Sequence, residues 1–353
     1  MKKSVSINGM RGITAFLIAC VLHYFLVCGN PGFSNQFAGA VSYILVTAPQ
    51  VFFVLSGYLT ALSYELQGGA RKTFVDFFKK KIIKIYPMMI TSVLYIYAIQ
   101  IISKRYFGEY VLYGGDEKYN IRSLILNCLG FQSGWIGEKD AVAVNGPTWF
   151  ISVLFVCYFL HFFLGKLKNK KIKLIIYMLL YFFGMIAVDK NIIFPLLYGD
   201  NCGGYSGYFL GVLMAHILGP KGDPRKMRYR VCFVIYSIVL FAYIWIVRGN
   251  IVYAMSIWGW PFLSYLSIYN LAFGKICSLK LFTFLGDISM ALFIWNLPIF
   301  FTIDYVRRFI CIGDIYSCFI TWFVVIIIDV LCTFLIHKIF DRYSFKRSAK
   351  EVK

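Results

Sequence analysis

At 353 residues, 60% of them hydrophobic and only 15% charged, the chain is too apolar for a soluble globular protein, and it carries repeated apolar runs near 20 residues. Its 36 Lys and Arg against 16 Asp and Glu give a net charge of +20, which suits either nucleic acid or an anionic membrane face. The basic residues cluster between apolar runs, so a lipid bilayer is the expected partner and nucleic acid is not.

Hydropathy predicts an all-α, polytopic membrane bundle of about ten transmembrane helices, at roughly 8–28, 42–64, 82–103, 148–165, 172–188, 203–219, 231–247, 251–272, 282–303 and 316–337. Placing both termini in the cytoplasm puts 27 of the 36 Lys and Arg on the inner side, as the positive-inside rule requires. Residues 1–340 then form one transmembrane domain, and 341–353 a short basic cytoplasmic tail. No repeat of 20 to 50 residues is visible. Ten scattered cysteines, with no CxxC pair and no zinc-like spacing, predict small buried hydrophobes and no metal site.

The first span, within Asn8 to Asn30, follows Lys2 and Lys3 and imitates a signal peptide. No small-residue cleavage site follows and the run has full spanning length, so the helix is expected to be retained. It carries Arg11 at its start and His23 well inside. An ionisable side chain in hydrocarbon costs roughly several kcal/mol unless it has a partner or water, which makes His23 a candidate catalytic base. A histidine suits that work because its unperturbed pKa, near about 6.5, lets it take a proton from a hydroxyl and later return one to a thiolate. His161, His216 and His337 fall in the last turns before cytoplasmic loops, where histidines commonly snorkel or cap.

The stretch from Lys104 to Pro147 falls outside the cell in this topology. Its apolar centre, Ser123 to Phe131, predicts a short helix lying on or dipping into the bilayer, in a loop long enough to cap the site and help recognise an acceptor. Asp329, in VVIIIDVLC, is an isolated carboxylate near mid-membrane that needs a partner.

Two further stretches, FFVLSGY from Phe52 to Tyr58 and KKKIIKIYP from Lys79 to Pro87, together with Arg11-Gly12 leading into His23, resemble the signature regions of the acyltransferase 3 family. These are bacterial multi-pass membrane proteins that acylate sugars, and the resemblance spans most of the chain. In that family ten residues separate the motif arginine and histidine, whereas eleven lie between Arg11 and His23. A one-residue π-bulge would restore the register; otherwise Arg11 is an interfacial anchor and not the equivalent residue. Twelve residues of helix put His23 about 18 Å from Arg11, comparable with the reach of a pantetheine arm.

The resemblance implies an O-acyltransferase, in particular an O-acetyltransferase, moving an acyl group from cytoplasmic acyl-CoA to a hydroxyl of a cell-surface or exported carbohydrate, such as an exopolysaccharide, or of its lipid-linked precursor. It implies a multi-pass location in the inner or plasma membrane and, as possible partners, proteins of polysaccharide synthesis or export. Acyl-CoA is then a substrate, and no permanently bound cofactor is expected. Arg11, Lys80, Lys81, Lys84 and Tyr86 would hold the coenzyme, its phosphates meeting lysine point charges. Ser56, beside Gly57, would line a cavity or permit close helix packing. Trp149, in NGPTWFISVLF, would stack on a sugar ring or belong to an outer aromatic belt. Asn296, in LGDISMALFIWNLPI, stands where the family has a histidine before a residue and a proline; unable to act as acid or base, it would orient His23 or the acceptor.

Two other classes stay open at this stage. A transporter or flippase of a lipid-linked sugar also uses intramembrane polar residues, though no paired broken helices are visible. A membrane-bound O-acyltransferase acting on lipid or protein is the second. The HxxxxD spacing, a P-loop, GxGxxG and a serine elbow are all absent from the sequence.

Overall fold

A computed structural model describes residues 4–66, 73–112, 115–133, 144–189, 194, 196–197, 199–221 and 223–350, and among them the fold is all helical, with no strand. In chain order the helices are α1 (Val5–Phe16), α2 (His23–Val27), α3 (Asn35–Val46), α4 (Gln50–Thr60), α5 (Phe74–Phe107), α6 (Ile121–Leu129), α7 (Trp149–Gly165) and α8 (Lys170–Asp189). Then follow α9 (Gly199–Ile217), α10 (Met227–Arg248), α11 (Ile251–Ala254), α12 (Trp260–Ile268), α13 (Ala272–Cys277), α14 (Lys280–Phe309) and α15 (Phe319–Lys350).

Eight helical stretches among the described residues are long and apolar enough to cross a membrane. They are Val5–Val27, Asn35–Leu66, Lys81–Phe107, Gly146–Gly165, Lys170–Val188, Pro224–Arg248, Lys280–Phe309 and Phe319–Arg342. The protein is therefore a multi-pass membrane protein, with eight such helices where hydropathy reading expects about ten. The two that fall short have physical reasons. Helix α9 carries glycines and polar groups because almost all of it is buried inside protein, where an apolar surface is not demanded. The stretch from α11 to α12 is broken by a π-turn at Met255–Gly259 and by Pro261. The boundary expected at residue 340 lies inside α15, which runs on to Lys350.

The chain divides into two compact units. The first comprises the residues up to Thr14, Tyr43–Phe74 and Val153–Gly286. In it α9 packs between α4 and α8. Glycine makes that contact possible: a Cβ at Gly57 would lie 2.0 Å from the Tyr208 carbonyl oxygen, and one at Gly211 2.0 Å from that of Val54. The Ser56-Gly57 pair of FFVLSGY thus sits where two helix backbones touch, the small-residue packing common in membranes.

The second unit comprises Ala15–Ser42, Val75–Ser152 and the residues from Asp287 onward. Here α14 is the inner helix, with 78% of its apolar window buried, and α15 the outer one, with 17%. The long stretch after α5 turns back along it. Gln100 binds the Val111 backbone through both its oxygen and its amide and also reaches the Tyr119 hydroxyl, fixing one end. Asn120 caps α6 by accepting from the Ser123 N–H, and Gly130 ends it at φ 79°, a left-handed conformation that glycine adopts without strain. The Leu129 carbonyl then accepts the Tyr86 hydroxyl at 2.9 Å. Gln100 and Tyr86 are about 21 Å apart along α5 at 1.5 Å per residue, so α6 descends beside an apolar span and does not lie across its end.

Candidate active site

Between α1 and α2 the helix widens. Leu17–Leu22 form a π-turn, in which the His23 N–H donates to the Ile18 carbonyl five residues back. Such a turn takes up one extra residue, and one is the excess of the Arg11 to His23 spacing over the family pattern. The turn also presents carbonyls to neighbouring helices: Cys20 O accepts from Trp322 Nε1 of α15 at 2.9 Å, and Ala19 O makes a long 3.5 Å contact with Asn296 Nδ2 of α14. Asp329, fully buried on α15, accepts from the Cys20 thiol at 3.7 Å through one carboxylate oxygen. The partner that Asp329 requires is therefore the π-turn itself.

His23 and Asn296 meet at 2.6 Å, His23 Nδ1 to Asn296 Nδ2. In this orientation the amide donates, Nδ1 accepts and the ring proton sits on Nε2. Turning the amide over pairs Nδ1–H with Oδ1, an oxygen that is buried and has no donor as drawn, and leaves Nε2 free to take a proton. Asn296 can thus select which ring nitrogen is the base without being an acid or base itself. Phe293 lies one turn before Asn296 with its ring centroid 6.4 Å from that of His23, and Phe150 packs edge-on against Phe293, giving the imidazole an apolar wall.

The other residues singled out from the sequence do not all gather here. In the first unit Ser56 hydrogen-bonds the Tyr158 hydroxyl, a residue that sequence reasoning did not name and that lies within reach of the Arg11 charge. Lys81 lies over the Phe77 ring, 4.8 Å from Nζ to centroid, and Lys84 is exposed; the Lys80 side chain lies outside the described residues. Tyr86 is engaged with the α6 terminus. Trp149 opens α7, four residues after Asn145, whose amide reaches Ser92, about 22 Å short of the C-terminal end of α5. An open, mostly apolar cavity of about 370 Å³ in the first unit, bounded by Tyr43, Gln50, Tyr181 and Trp258, contains none of these residues.

Sequence reasoning also missed a second buried cluster. In the first unit His161 and His216 do not snorkel; they converge on Glu65, whose side chain is 2% exposed, with Nε2 to carboxylate distances of 2.8 and 3.2 Å. Lys173 reaches the same carboxylate at 2.6 Å, the Tyr177 hydroxyl donates to it at 2.8 Å, and the Tyr208 hydroxyl bonds His161 Nδ1 at 3.0 Å. The signal was present: Glu65 is a lone acid at the end of an apolar run and demands partners by the same rule that flagged His23.

A histidine held by one neutral amide on a widened turn, in a chain of apolar spanning helices, is a buried polar pair of the kind that marks functional sites in membrane proteins, and comparison with protein families supplies the class. The family model described as an acyltransferase domain, acyltransferase family 3, matches residues 4–338, nearly the whole chain, and the protein belongs to that family. Comparison with curated proteins and with solved structures gives no match.

Proposed function

We propose that the protein is an O-acyltransferase that moves an acetyl group from cytoplasmic acyl-CoA to a hydroxyl of a cell-surface or exported carbohydrate, or of its lipid-linked precursor. In this reading the bundle has ten membrane-crossing segments, both termini are cytoplasmic and the protein resides in the inner or plasma membrane. The observation that carries it is the His23–Asn296 hydrogen bond beside the π-turn.

With the Asn296 amide turned so that its Oδ1 holds Nδ1–H, His23 Nε2 takes the proton of the acceptor hydroxyl as its oxygen attacks the thioester carbonyl. The tetrahedral intermediate collapses, the C–S bond breaks, and the imidazolium returns the proton to the leaving thiolate, giving the ester and free coenzyme thiol. Arg11, Lys80, Lys81 and Lys84 serve the phosphates of the donor and Tyr86 the coenzyme, and Ser56 and Trp149 serve the substrates. Binding the nucleotide at the cytoplasmic face keeps the charges out of hydrocarbon while the neutral pantetheine arm spans the about 18 Å to the base.

The test is thiol release from acetyl-CoA by purified protein given surface polysaccharide from cells that lack it. His23→Ala should cut acetylation at least about a hundredfold, to near background, in a protein of unchanged folded yield. Acetylation surviving that substitution refutes the mechanism, and sugar movement across vesicles without thiol release would identify a transporter instead.

A further inference from the structure

Pro298 lies inside α14 and has no N–H, so the carbonyl of Ile294, four residues earlier, has no helical donor. In a membrane interior such a carbonyl must be satisfied by another part of the protein. Asn145, fully buried just before α7, supplies the donor: its Nδ2 lies 2.9 Å from Ile294 O and 2.9 Å from Ser92 Oγ. The Ser92 hydroxyl passes its own proton to Met89 O at 2.8 Å. Both amide hydrogens are thus committed, and turning the amide would set two oxygens against each other, so the orientation is fixed.

Ile294 precedes Asn296 by two residues, on the same broken turn. We propose that Asn145 is a positioning residue for acyl transfer. Its clip holds the α14 break in the one geometry that keeps Asn296 on His23, and it makes the residue just before α7 a structural part of the active site. The inference rests on the reading that His23 and Asn296 carry the transfer. It accounts for the Asn-Gly-Pro-Thr-Trp run by a local cause, a carbonyl freed by proline and a carboxamide sent to fill it.

The experiment is a cycle in the full-length protein between Asn145→Ala and Pro298→Ala, read as thiol release from acetyl-CoA with the same polysaccharide preparation. Alanine at 298 restores an N–H to the Ile294 carbonyl, so the clip becomes dispensable. Asn145→Ala alone should lower kcat about tenfold, with KM for acetyl-CoA unchanged, and in the Pro298→Ala background the same change should cost less than about threefold. An equal loss in both backgrounds, or a raised KM with kcat intact, overturns the proposal. Should Asn145→Ala yield no folded protein, recovery of folded material by Pro298→Ala supports the clip and its absence overturns it. His23→Ala run in parallel separates the two claims: turnover surviving that change sinks the proposed mechanism, while the cycle, read as thermal midpoint, still decides whether the clip exists.

Discussion

The two units each bury histidines, and they do so in opposite ways. In the first, His161 and His216 share the Glu65 carboxylate with Lys173 and Tyr177, so every member of the cluster is met by opposite charge or a hydroxyl. In the second, His23 has one neutral partner, Asn296. An ion cluster built on one shared carboxylate fixes its geometry; removing that carboxylate leaves an uncompensated charge in a poor solvent. An imidazole with a single neutral contact has a nitrogen left for a substrate. Burial of a histidine is thus no guide to chemistry until its partners are counted.

The sharpest way to break this contrast is to remove one member from each side. His23→Ala should cost acetyl transfer roughly 10²- to 10⁴-fold, the range of a lost general base, with little change in thermal midpoint. Glu65→Ala should do the reverse, lowering stability by about 3–5 kcal/mol, seen as lost folded yield in detergent, because Lys173 then stays buried with no counter-charge. If Glu65→Ala gave a stable protein devoid of transfer while His23→Ala stayed active, the roles assigned to the two clusters would have to be exchanged.

Asn296 offers the next largest effect. Leucine there removes both amide functions and should lower transfer about ten- to a hundredfold, whereas aspartate retains an acceptor for Nδ1–H and should keep much more activity. Equal losses in the two variants would show that Asn296 serves packing and not the choice of ring nitrogen.

These residues were unequally legible. The first span and its histidine followed from hydropathy, and the widened turn was one of two ways to read a spacing one residue longer than the family's; a π-turn is found at Leu17–Leu22. Asn296 was reachable because it stands in a motif. Trp322 and Tyr158 were not, since each draws its meaning from a partner more than 100 residues away in the chain, and Glu65 announced only that it needed partners, not which ones. The turn of α6 along α5 was only half visible: the apolar run predicted a helix near lipid, but its depth depends on Gln100 and Tyr86 acting as markers along a neighbouring span. Hydropathy is a weaker guide where a helix is surrounded by protein: α9, nearly all buried, is less apolar than the eight long spans among the described residues.

Trp322 sharpens the second side of the contrast at smaller scale. Phenylalanine keeps the ring packed against Phe25 and Phe33 but withdraws the donor to Cys20 O. Interhelical hydrogen bonds in membranes average about 0.6 kcal/mol, so transfer should fall about threefold and the thermal midpoint by a degree or two. No change in turnover would mean that the π-turn holds its shape without this clamp.

The smallest effect belongs to an ion pair at the water-facing edge, which sets the scale against which the buried clusters are judged. Lys104 and Asp116 pair on the surface of the second unit, with the Tyr110 hydroxyl donating to the same carboxylate oxygen at 2.6 Å. The Lys104 ammonium first, and then Tyr110, hold the Asp116 carboxyl below the usual carboxylate range. A carboxylate whose folded pKa is depressed contributes stability above its unfolded pKa, about 3.9, and that contribution disappears as pH falls through the folded value. Asp116→Asn should therefore lower the thermal midpoint only slightly at pH 7, by no more than about a degree, and less still in high salt. The difference should vanish in strong acid, where wild type is protonated too. A large deficit at neutral pH, or one that grew on acidification, would show that Asp116 belongs to a buried network of the Glu65 kind and not to an exposed pair.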